Sequence, residues 1–109
     1  MRISAYFVLL FCSLILAGCD RETPPEKMTA GEDIYGYYCK NCHENKGPGA
    51  NMERFAGKQP MKPYKIILMI KYGFNQDSHS MPLFDQLSEE QADAVARYVV
   101  SLQMEHINR

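Results

Sequence analysis

Cys39-Lys40-Asn41-Cys42-His43 is the stretch that most constrains this chain. Two thiols three positions apart, with an imidazole beside the second, have the spacing of covalent haem attachment. Each thiol can form a thioether to a haem vinyl group, and the imidazole can ligate the iron from the proximal side. On a continuing helix, positions 39, 42 and 43 stand at i, i+3 and i+4 and project from one face. A flat macrocycle is then fixed at two edges and at its metal together. The competing chemistries each leave something unexplained. A structural zinc site needs four ligands, normally with a second Cys or His pair, and the only other cysteines are Cys12 and Cys19 near the start. A thioredoxin-like dithiol belongs near a strand-helix-strand pattern, and none is visible. A plain disulfide leaves His43 without a role.

The chain has 109 residues, room for one small domain. Its net charge is -1, so it lacks the basic footprint of a nucleic-acid binder. Much of the apolar content lies in the first 18 residues, which leaves a core that is marginal by itself. A covalent haem would add a large apolar body for it to pack around. Residues 1–18 read as an export signal: Arg2 gives a positive start, and Ala5 to Ala17 is apolar apart from Ser13. That run is too short to span a bilayer comfortably; the alternative is an uncleaved N-terminal anchor. Leu16-Ala17-Gly18-Cys19 resembles the lipobox of bacterial lipoproteins. The resemblance implies cleavage before Cys19 and acylation of Cys19. Several acyl chains anchor far better than one, so it also implies attachment to the cell membrane on its extracytoplasmic, periplasmic face. Asp20 directly afterwards resembles an inner-membrane retention signal. Cys12 lies inside the signal and reads as apolar filler. Export agrees with the haem reading, because haem is attached to such motifs outside the cytoplasm in bacteria.

Residues 19–28 are expected to form a lipidated N-terminus and flexible tether, with polar Arg21 to Lys27 containing Pro24-Pro25. The domain is expected over 29–104 and a short tail over 105–109. Thr29-Ala30-Gly31-Glu32 has the form of a capping box and predicts a helix from Thr29, with Ile34, Tyr35 and Tyr38 leading into Cys39. Gly31 is costly inside a helix, which a close helix crossing would explain. Glu44 to Gly57 reads as a loop, punctuated by Asn45, Gly47, Pro48 and Gly49. A ligating His usually donates its other ring N–H to a carbonyl, and Pro48 is near enough to offer one. Lys62 to Tyr72 reads as a second helix, with Pro63 at its first position and Gly73 as its stop. Ile66, Ile67, Ile70 and Phe74 form its apolar face, and Tyr64 and Met69 are available to the core or a haem wall. Asn75 to Phe84 reads as a loop. Ser88 opens a third helix with Gln91 as capping-box partner, and Leu87, Ala94, Val95, Tyr98, Val99 and Leu102 form its apolar stripe. Glu89, Glu90 and Asp93 suit its first turns. Fraying is expected from Glu105, with His106 exposed. With no repeat and no alternating strand pattern, the fold class is all-α: three main helices whose long loops pack poorly alone but become walls around one haem.

Low-spin haem iron takes a second axial ligand, and Met28, Met52, Met61, Met69, Met81, Met104, His79 and His106 are available for it. Met81 is the first choice, in a loop before the last helix, where Pro82 fixes the next φ and keeps the methionine out of a helix. His79, two residues away, is the rival, and an open sixth position is the third option. Met52, Met69 and Met104 read as core filler.

With these residues assembled, the stretch from Thr29 to Leu102 resembles class I (mono-haem) cytochrome c. In that family a first helix with a glycine and an aromatic residue crosses a last helix bearing another aromatic residue; Gly31, Tyr35 and Tyr98 match. Met81-Pro82-Leu83-Phe84 matches the family's methionine segment, and Pro63 to Gly73 its glycine-terminated middle helix. The resemblance implies one haem c bound through Cys39 and Cys42, with His43 and Met81 as iron ligands.

The leading functional expectation is therefore a membrane-tethered electron carrier, not an enzyme, serving membrane-bound or periplasmic redox proteins. One alternative is a haem c subunit of a larger oxidase or reductase complex. Another is a haem sensor or peroxidase-like protein in which Met81 is displaced. Seven basic and two acidic residues lie from Lys40 to Lys71, against one basic and six acidic from Asp77 to Glu105. Lys40, Lys58 and Lys62 could thus steer an acidic partner toward the haem edge, although such charges are commonly just a solvated surface.

Overall fold

The computed structural model describes residues 22–44, 47–49, 57–76 and 79–109, with His79 described by its backbone alone. The export signal, Cys19, Asp20, Asn45 and Met52 lie outside the described residues. A 3-10 turn at Pro25–Lys27 is followed by α1 (Gly31–Tyr38), α2 (Lys40–His43), α3 (Pro63–Tyr72), β1 (Phe74–Gln76), β2 (His79–Met81) and α4 (Glu89–Ile107). The described chain is mostly helical, as expected, and α1 and α3 both pack on α4.

The start of α4 is the capping box read from the sequence. The amide of Gln91 donates to Ser88 Oγ at 3.1 Å, and the amide of Ser88 donates to Gln91 Oε1 at 3.1 Å. Each bond satisfies a donor that the helix itself leaves unpaired. The apolar stripe of α4 is buried at Val95 and Val99, with Leu87 just before it and Ala92 and Ala96 filling the gaps. Ala94, Tyr98 and Leu102 are half-buried at its margin. The expected close crossing is present at Gly31. A Cβ there would stand 2.7 Å from the carbonyl carbon of Ala94 and 3.0 Å from Tyr98 Cβ. One turn on, the rings of Tyr35 and Tyr98 meet with centroids 5.3 Å apart and planes tilted by 60°, a favoured aromatic geometry.

This crossing overrides the expected helix start. The first helical residue is Gly31, Ala30 is the N-cap, and no side chain caps the end, so the Thr29 box does not form. The carbonyl of Ala30 instead accepts the amide of Ile34 at 3.1 Å. The tether also differs from expectation in its last residues. Nε2 of Gln91 donates to the carbonyls of Pro25 at 3.0 Å and Met28 at 2.9 Å, so the 3-10 turn is fixed to α4. At the other end, α4 runs to Ile107 rather than fraying from Glu105, and His106 is half-buried rather than exposed.

The N-terminus of α3 follows the sequence, with Lys62 as N-cap and Pro63 at the first position. Ile66 and Ile70 are buried, and Ile67 packs at the core margin. Tyr64 faces outward and does not join the core, Phe74 is exposed to 40%, and Met104 is likewise exposed rather than core filler. Where a plain loop was expected, β1 and β2 pair antiparallel, with Phe74 opposite Met81 and Gln76 opposite His79. Among the described residues no helix is long and apolar enough to cross a membrane.

Candidate haem site

Cys39 is where α1 ends and α2 begins. Its φ of -115° and ψ of -37° bend the chain, its amide donates to the carbonyl of Tyr35 at 2.8 Å, and its carbonyl accepts from Cys42 at 3.1 Å and His43 at 3.0 Å. The i, i+3 and i+4 relation among the three residues thus survives the bend. Cys39 is buried, Cys42 is exposed and His43 lies between. The two sulfurs are not joined.

All three residues line one cavity of about 570 Å3, and so does Met81 from the end of β2. That volume lies within the range of cofactor pockets, about 300–1,000 Å3. Ile66, Met69, Met61 and Val99 make much of its wall apolar. Met69 therefore belongs to the cavity wall, and reading it as mere filler was too narrow. Pro48 and Gly49 close the wall beside His43. The amide of Gly49 donates to the carbonyl of Cys42 at 2.7 Å, and a Cβ at Gly49 would stand 2.9 Å from Nδ1 of His43. Only a residue without a side chain lets the backbone lie this close to the imidazole edge. His79 shares β2 with Met81; its side chain lies outside the described residues.

The Cys39 thiol is poorly disposed to dithiol chemistry. Reactive cysteines in such pairs have lowered pKa values. Burial, with the neighbouring Cys42 second, instead pushes the Cys39 thiol up to about 11. A sulfur that resists charge suits a neutral thioether. Among the described residues no group of three or more His, Cys, Asp or Glu side chains could hold a metal ion.

The sequence reading named Met61 only as an available ligand, and it missed Gln103. Met61 lies in the cavity wall, and its amide donates to Oε1 of Gln103 at 2.8 Å. Gln103 is wholly buried on α4, where a polar residue near a chain end gives no signal of burial.

The model of the family described as cytochrome c oxidase, cbb3-type, subunit III matches residues 26–99. The chain belongs to this family of c-type cytochromes. No curated protein and no solved structure matches it significantly. As a c-type cytochrome the protein carries covalently bound haem c and belongs to electron transport. The cavity fits that group by its volume, its apolar wall, its paired sulfurs and its two candidate iron ligands.

Proposed function

We propose that this cytochrome is a mono-haem electron carrier with His43 and Met81 as axial ligands, Cys39 and Cys42 as the thioether residues, and a lipid on Cys19 holding it to the extracytoplasmic face of a membrane. The observation that carries the reading is that Cys39, Cys42, His43 and Met81 line one cavity. When bound, the haem supplies an iron that cycles between the ferrous and ferric states. Cys39 and Cys42 fix its edge. His43 is held on α2 against the Gly47–Gly49 turn, with the Pro48 carbonyl as acceptor for its ring N–H. Met81 offers a thioether, which favours ferrous iron relative to a second imidazole. Ile66, Met69 and Val99 exclude water. With both ligands held by packed backbone, little has to move between redox states. Tethering raises the effective concentration near membrane redox partners. The fixed 3-10 turn takes Pro25 to Met28 out of the expected tether.

Intact mass tests the attachment: the wild type carries one haem, and Cys39→Ala/Cys42→Ala carries none. Retention of covalent haem by the double variant would refute it. Incorporation of labelled fatty acid, lost in Cys19→Ala, tests the anchor.

A second reading, as a subunit of a larger oxidase complex, is favoured by the family match and by the outer face of α3. Tyr64, Leu68 and Tyr72 are 59%, 50% and 77% exposed and share one face at i, i+4 and i+8. Co-purification with an oxidase from detergent-solubilised membranes supports the subunit; migration as a free cytochrome supports the carrier.

A further inference from the structure

Gly73 joins α3 to β1 with φ of 75° and ψ of 179°. Glycine is essentially the only residue that adopts this region without strain. A side chain at this position would also collide. A Cβ would stand 2.9 Å from the carbonyl oxygen of Met81, 3.2 Å from the amide nitrogen of Leu83 and 3.5 Å from the carbonyl carbon of Pro82. All three are backbone atoms, so no change of rotamer relieves the contact. Two further links hold the same segment. The pairing of β1 with β2 sets Phe74 opposite Met81, and the amide of Phe84 donates to the carbonyl of Ile70 in α3 at 2.7 Å. The backbone from Met81 to Phe84 is thereby clamped to the end of the helix whose Ile66 and Met69 line the cavity.

We propose that Gly73 is a positioning residue for Met81, an inference that rests on Met81 being the iron ligand. Its bare Cα lets β2 lie close enough to α3 for the thioether to be presented in the cavity. A side chain there would push the Met81 backbone away and loosen the sulfur-iron bond while leaving the His43 side intact.

The test uses the full-length, haem-loaded protein and three readouts: the weak ferric methionine-to-iron charge-transfer band, the reduction potential, and affinity for added imidazole. In Gly73→Ala the band weakens or disappears, the potential falls, and imidazole binds about tenfold more tightly. Gly36→Ala is the control, since a Cβ at Gly36 meets nothing within 4 Å; it keeps wild-type values. A variant with a second glycine inserted after Gly73 keeps the torsional freedom but slackens the clamp. It shifts the three readouts in the same direction, and it decides the matter if Gly73→Ala does not accumulate with haem. Loss of the band in Met81→Ala, with wild-type readouts in whichever clamp variants load haem, would overturn the positioning role alone. Retention of the band in Met81→Ala would overturn the ligand assignment and this proposal with it.

Discussion

The amide of Met61 is bound to the side-chain oxygen of Gln103 across 42 residues of sequence, at 2.8 Å. A buried polar side chain on the last helix thus fixes a loop that walls the haem cavity. Gln103→Leu keeps a similar bulk but leaves the Met61 amide without that acceptor. The expected cost is about 1–3 kcal/mol, measured as a lower denaturant midpoint of the haem-loaded protein. An unchanged midpoint would mean that water or another group replaces the bond without loss.

The two glycines of α1 should respond in opposite directions. Gly31→Ala drives a methyl into the Ala94 backbone, and overpacking of this kind costs about 1–3 kcal/mol. Gly36→Ala points into open space and should gain about 0.5–1 kcal/mol from helix propensity. Thermal unfolding of both variants checks the pair. Equal shifts would remove the close crossing as the reason for glycine at position 31.

Gln91 serves two segments at once: its Oε1 completes the Ser88 box, and its Nε2 holds Pro25 and Met28. Gln91→Ala should cost about 1 kcal/mol through the cap and release the 3-10 turn. Limited trypsin digestion after Lys27 should then become faster in the variant than in the wild type. An unchanged cleavage rate would show that the turn does not depend on Gln91.

What the sequence disclosed follows from how local each signal is. The haem motif, the Ser88–Gln91 box and Pro63 at the start of α3 are set by neighbours within one turn, and the structure has each in place. Gly31 was legible because a glycine inside a helix asks for a reason, and the Ala94 backbone supplies it. The Thr29 box was equally well formed as a pattern, but Ala30 is the N-cap of α1 and no side chain caps its start. The hairpin was not legible, because strands of three residues are too short to show alternation. Gln103 and the second role of Gln91 were hidden for a common reason: their partners lie 42 to 66 residues away, beyond any local pattern.

Met61, Met69 and Met81 all line the haem cavity, so the assignment of Met81 as sixth ligand is the central claim to test. The direct measurement is the ferric visible spectrum of the haem-loaded wild type and of Met61→Ala, Met69→Ala and Met81→Ala. His43/Met81 ligation predicts the methionine-to-iron charge-transfer band in the wild type and in the first two variants, and its loss in Met81→Ala alone. A band that survives in Met81→Ala, or that vanishes in either of the others, would contradict it.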